Sequence, residues 1–169
     1  MQTLWALIPA LISFFLGSIY QSYRAARSEA VAQINDLINE VRSAQEIGSQ
    51  YWAYKRSKDD KIKELNLRGS TFLIAQYVSQ ADDLMGHHKQ ALERKTDDLI
   101  DLLTGGSFET ISRKADFERA IQIKTVAAEI VLVARKARLD VVAVSAVFRD
   151  LVRPPKRIVK RLHHRFRLF

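Results

Sequence analysis

Apolar side chains fall into three successive patterns along this chain, and each predicts a different kind of helix. From Gln2 to Tyr23 no side chain carries a charge, and Leu4 to Tyr20 reads LWALIPALISFFLGSIY. From Val31 the pattern changes. Val31, Ile34, Leu37, Ile38, Val41, Ala44 and Ile47 recur at helical spacing, while Glu29, Asn35, Asp36, Glu40 and Arg42 fill the other face. That is an amphipathic helix with one stripe to bury, and the stripe is wider than a coiled-coil seam, as in a bundle. No breaker separates the two patterns, so they are expected to form one rod reaching about Trp52.

The third pattern follows a charged connection, Lys55 to Lys61. A helical region is expected from Asp59 or Asp60, with Ile62, Leu65, Phe72, Leu73, Val78, Ala81 and Leu84 inside. It continues through Leu92, Leu99, Ile100 and Leu103, divided in two at Gly86. Gly105-Gly106 is expected to stop it through a left-handed cap. Ser107 to Ala115 reads as a loop, and Asp116 as the N-cap of a last helix from about Phe117 to Val152. Pro154-Pro155 would end that helix, since proline cannot continue a helix interior. Strand-like alternation is absent. The expected architecture is therefore all-α: a transmembrane anchor over 1–23, a cytoplasmic bundle of about four helices over 24–152, and a basic amphipathic tail over 153–169.

The anchor rests on length and charge. About 20 mostly apolar helical residues cross a hydrocarbon core of about 30 Å. Leu4, Trp5, Leu7, Ile8, Leu11 and Ile12 supply the first half of the lipid-facing surface, and Phe14, Phe15, Leu16, Ile19 and Tyr20 the second. Trp5, Tyr20 and Tyr23 lie where amphipathic rings favour the interface. Pro9 is tolerable in such a span, and Gly17 would allow close helix contact. The segment lacks the basic start and the small-residue cleavage site of a signal peptide. Arg24 and Arg27 follow it directly, so the positive-inside rule places the domain in the cytoplasm of a bacterial inner membrane, N-terminus outside.

Charge alters the picture at one end only. The chain has 27 Lys/Arg against 19 Asp/Glu, a formal net charge of +8. Seven of those basic residues fall between Arg153 and Phe169, where there is no acid, which leaves the first 152 residues near neutrality at +1. Along Lys156 to Phe169, Ile158, Leu162, Phe166 and Phe169 share one face. Lys156, Arg157, Lys160, Arg161, Arg165 and Arg167 offer a surface for anionic lipid or nucleic acid, with packing on the domain or on a protomer as the plain alternative. In the last helix Val141 to Phe148 is uncharged, so Val141, Val144 and Phe148 are expected at the bundle centre or at an oligomer interface. Arg135, Lys136 and Arg138 read as a solvated face or as a basic patch for an acidic partner.

Candidate chemistry is sparse. The absence of cysteine excludes disulfides, thiolate metal sites and cysteine nucleophiles. The four histidines form two adjacent pairs, His87-His88 and His163-His164. Neighbours on a helix point about 100° apart, so neither pair is expected to chelate a metal. Gly105-Gly106-Ser107 lacks the lysine and strand of a phosphate loop. No cofactor is expected, and no catalytic residue beyond one alternative. That alternative is Arg157 with His163, whose spacing resembles the Arg-x4–6-His motif of HEPN-domain ribonucleases, with Ile158 where the family usually has a polar residue.

The whole layout also resembles the membrane-anchored accessory proteins of type VI-B CRISPR systems, which combine one N-terminal membrane helix with a HEPN-related cytoplasmic bundle. The resemblance implies a non-enzymatic, oligomeric effector that permeabilises the membrane in anti-phage defence, with the membrane and further copies of itself as partners. Two other functions stay open: a membrane tether that recruits a partner protein or nucleic acid, and a membrane-bound HEPN-like ribonuclease acting through Arg157 and His163.

Overall fold

The computed structural model describes the backbone of residues 2–80 and 85–143, and side chains from Ser13 onward within those ranges. It is all-helical over these residues. Helix α1 runs Gln2–Ala53, α2 Asp60–Gln80, α3 Lys89–Thr104 and α4 Phe117–Val142, with one 3₁₀ turn at Gly86–His88 before α3. Each helix packs on its sequence neighbours and α4 closes the ring against α1, so the order around the bundle is α1–α2–α3–α4.

Neighbouring helices are antiparallel. Trp52 near the end of α1 donates its indole N–H to the Leu103 carbonyl near the end of α3 at 3.2 Å. Asp116, before α4, donates its backbone N–H to the Trp52 carbonyl at 2.7 Å. The ends of α1 and α3 thus meet the starts of α2 and α4 at one base. At the opposite end His88, before α3, meets Asp140, near the end of α4.

The α1 stripe folds as its periodicity predicts. Ile34, Leu37, Ile38, Val41 and Ala44 are buried, together with Tyr51 and Trp52. On α4 the buried face is mostly alanine: Ala120, Ala127, Ala134 and Ala137 with Ile123 and Ile130. Small side chains shorten the distance at which two helices can pack, and α1 with α4 is the most extensive pair in the bundle. Gly48 shows how tight the centre is. A Cβ built there would lie 2.2 Å from Leu103 Cδ2 and 3.6 Å from both Ile123 and Leu67. Only the Leu103 side chain would have to give way, since 3.6 Å is ordinary contact; the glycine makes room for Leu103, although it weakens α1 locally.

Two expectations need correction. In α2, Ile62, Leu65, Phe72 and Leu73 are exposed, while Asp60, Glu64, Leu67, Ser70, Ile74 and Val78 are buried. The helix carries apolar residues on two faces, and polar partners at the base select the second. The last helix stops at Val142, short of Val152, with Ala143 extended at φ −62° and ψ 139°. Adjacent β-branched Val141 and Val142 weaken its final turn. The Arg27 guanidinium of α1 takes the Val142 carbonyl, a partner for one of the helix's orphan acceptors. The expected stop at Gly105-Gly106 is present: the helix ends at Thr104, Gly105 is extended at φ −82°, and Gly106 takes the left-handed conformation at φ +64°. The expected division near Gly86 and the Asp116 N-cap, which accepts from the Arg119 N–H at 2.9 Å, are both present.

Only the second half of α1 belongs to the bundle. Side chains from Ser13 to Glu29 are exposed or half-exposed, including Phe14, Phe15, Leu16, Ile19 and Tyr20, and burial begins at Ala30. Over the described residues no helix is long and apolar enough to cross a membrane. Much of the expected span, Leu4 to Ile12, lies outside the residues whose side chains are described.

Candidate functional site

Three polar constellations stand out on the bundle. The first closes the base. Helices α1 and α3 both point their C-terminal carbonyls there, where negative dipole ends and unsatisfied acceptors accumulate. Two arginines answer them. Arg113, from the loop before α4, donates to the carbonyls of Tyr51 at 2.5 Å and Tyr54 at 2.8 Å, and to Asp60 Oδ2 at 2.6 Å. Arg119, from α4, donates to the carbonyls of Leu102 and Asp101, each at 2.6 Å. Their guanidinium carbons lie 3.9 Å from the Tyr51 ring centre and 4.0 Å from that of Trp52, so cation–π contact adds to the hydrogen bonds. The Gly105-Gly106 turn makes room for this: a Cβ on Gly106 would sit 2.8 Å from Arg119 Nη1. The glycine pair serves a cationic cap, not an anion cradle.

The rest of the base is equally committed. Tyr51 donates its hydroxyl to Glu64 at 3.0 Å and accepts the Glu109 backbone N–H at 3.1 Å. Glu109 holds φ +62°, a conformation disfavoured for a non-glycine residue. Arg56 holds its carbonyl and Arg68 its carboxylate, and these contacts keep it there. Burial pushes the Tyr51 phenol up. Burial also pushes the Asp60 carboxyl up, but bonds from the Ser57 N–H, the Arg113 guanidinium and the Ser57 hydroxyl outweigh it and hold Asp60 below the usual carboxylate range. Burial draws the Arg119 guanidinium down against the pull of Asp116 and Asp101. Arg113 Nε alone of these buried donors has no partner, and a network otherwise engaged with its own backbone is a structural clamp.

The second constellation is a groove between α1 and α4. A pocket of about 450 Å³ is lined by Asn35, Ile38, Asn39 and Arg42 of α1 with Arg135, Arg138 and Leu139 of α4. Arg138 donates to Asn35 Oδ1 at 2.9 Å. Among the described residues Arg42 and Arg135 have no ionic partner, and no carboxylate lines the groove. Guanidinium groups repel one another, and a shared anion converts that cost into bidentate hydrogen bonds. The groove is therefore suited to a phosphate or carboxylate group. Of the basic patch expected on the last helix, Arg135 and Arg138 face this groove, while Lys136 is exposed and does not line it. The contributions of Arg42, Asn35 and Asn39 from the first helix were not foreseen, because in sequence they read as the polar face of an amphipathic rod.

The third constellation is His87, His88 and Asp140, whose donor atoms all lie within 4.8 Å of one another. The expected basic surface for anionic lipid or nucleic acid, from Lys156 to Arg167, the Arg157/His163 pair, and Val144 and Phe148 lie outside the described residues. Val141 is half-buried and packs against the bundle's own core. Comparison with protein-family models, with curated proteins and with solved structures gives no match to this chain.

Proposed function

We propose that this protein is a single-pass effector of the bacterial inner membrane, N-terminus outside and bundle in the cytoplasm, which perturbs or permeabilises the membrane through self-association. One observation carries the reading: α1 is a single helix over Gln2–Ala53, and its first half stands clear of the bundle with large apolar side chains exposed. At 1.5 Å per residue the 52-residue helix is about 78 Å long, far longer than its bundle partners. A contiguous apolar surface of that kind requires cover, and the uncharged Gln2–Tyr23 stretch suits lipid. Because no break separates span from bundle, a shift of the bundle moves the membrane helix directly.

Self-association draws support from outward apolar side chains on two helices, Ile62, Leu65 and Phe72 on α2 and Phe117, Ile121, Leu132 and Leu139 on α4. Anti-phage defence is the biological setting that this layout suggests. The test is release of a small dye from proteoliposomes, together with the mass of the protein in nanodiscs. An effector releases dye and forms a complex with several anchors. Sealed vesicles and a monomer overturn it.

A second reading is favoured by the arginine groove: a membrane tether that holds a polyanionic partner, protein or nucleic acid, against α1 and α4. A tether leaves vesicles sealed and loses its partner when Arg42 and Arg135 are replaced by glutamine. RNA cleavage abolished by His163→Ala would point instead to a membrane-bound HEPN-like ribonuclease.

A further inference from the structure

At the end of the bundle opposite the arginine clamp, two adjacent histidines converge on one carboxylate oxygen from a helix 52 residues away. His88 Nε2 lies 3.0 Å from Asp140 Oδ2, and His87 Nε2 lies 3.9 Å from the same atom. The two imidazole rings are 3.9 Å apart between centres. His88 is largely covered, while His87 is 76% exposed.

We propose that His87, His88 and Asp140 form a binding site for a borderline divalent transition cation, zinc being the natural occupant. Imidazole nitrogen with one carboxylate oxygen is a donor set for zinc and its neighbours, whereas calcium and magnesium take oxygen almost alone. The distances fit. Zinc bonds of about 2.0–2.1 Å in a tetrahedron separate neighbouring donors by about 3.3 Å, and the two nitrogen-to-oxygen distances, 3.0 and 3.9 Å, bracket that spacing.

A hydrogen-bonded staple accounts for less of the geometry. His88 alone satisfies Asp140, yet His87, with open solvent around it, also turns its Nε2 toward that oxygen. Three protein donors on an exposed rim leave a fourth position for water or another ligand. The consequence is mechanical. The cation joins the turn before α3 to the last turn of α4, two residues from the Val142 carbonyl that receives Arg27 of α1. It stiffens the end of the bundle from which the free half of α1 departs.

The test uses the full-length chain without an affinity tag, in nanodiscs, titrated with Co(II) and followed by the visible absorption of four-coordinate cobalt. Zinc is then added in competition. The expected result is one bound equivalent displaced by zinc, with binding weakened at least about 10-fold in His87→Ala and in Asp140→Asn, since loss of mere outer partners already costs 10–100-fold. His87→Ala is the decisive variant, because its exposed ring contributes little to folding. The double variant His163→Ala/His164→Ala controls for the other histidine pair and should bind as the parent does. Absence of the four-coordinate spectrum, unchanged affinity in His87→Ala, or loss of binding in the tail variant instead would each overturn the assignment.

Discussion

The two halves of α1 are continuous in backbone and opposite in how their apolar side chains are covered. From Ala30 to Trp52 most apolar residues are buried against three partner helices, with Arg113 bonded to the Tyr51 carbonyl and Arg119 stacked on Trp52 at the base. From Ser13 to Glu29 comparable residues are exposed or half-exposed. Helix formation is therefore no guide to environment, since local propensity builds both halves alike and only cover distinguishes them. The lower half gains its stability within the chain. The upper half leaves its large apolar side chains exposed, and under the proposed function lipid or another copy covers them.

The largest effect expected on the lower half comes from the clamp. Asp60→Asn leaves the fully buried Arg113 without its ionic partner and should cost about 3–5 kcal/mol in chemical denaturation. The same pair sets the acid limit. Asp60 titrates lower in the folded state than in the unfolded state, so its contribution is fully present above the unfolded carboxylate range near pH 4 and disappears as pH falls through the depressed folded value. Thermal melts across that range should show stability falling on the acid side in the parent, with a flatter profile in Asp60→Asn.

On the upper half, Phe14→Arg should cost about 2.5–3.5 kcal/mol in membrane insertion, read from the fraction integrated into vesicles. The stability of the bundle should stay within about 0.5 kcal/mol of the parent, as for an exposed substitution. Unfolding of the bundle by that change would contradict the division of α1 into two halves. Gly48→Ala should destabilise by about 1–2 kcal/mol despite its better helix propensity, because the new methyl meets Leu103 in a closed core. The smallest effect belongs to Ile62→Ser, within about 0.5 kcal/mol for the isolated bundle. A larger loss that appears only in the assembled protein would locate a contact between copies on that face of α2.

Periodicity made the lower half of α1 legible, because its apolar stripe faces an unambiguous polar one. It misled in α2, where Ile62, Leu65 and Phe72 are exposed and the buried face joins Val78, which was expected, to Leu67 and Ile74, which were not. The winning face is chosen by buried Asp60 and Glu64, whose partners Arg113 and Tyr51 are distant in sequence. Arg113 left no local signal at all, being one basic residue in a loop. Its role depends on carbonyls that assemble only when α1 ends beside that loop. The His87-His88 pair was visible, but Asp140 was not. An angular argument from an isolated helix says nothing about a carboxylate delivered by another. Capping residues were the most readable features: Asp116, Gly86 and the glycine pair act within a turn of where they stand.

If lipid covers the upper half of α1, as proposed, cysteine labelling reads it out, because the sequence has no cysteine of its own. Single cysteines replacing Leu16 and Ser43 would be exposed to a membrane-impermeant maleimide in inverted inner-membrane vesicles, where the cytoplasmic face is outward. Lipid cover gives rapid labelling of the Ser43→Cys protein and protection of the Leu16→Cys protein until the chain is denatured. Equal labelling of both in intact vesicles would show that water, not lipid, surrounds the free half of α1.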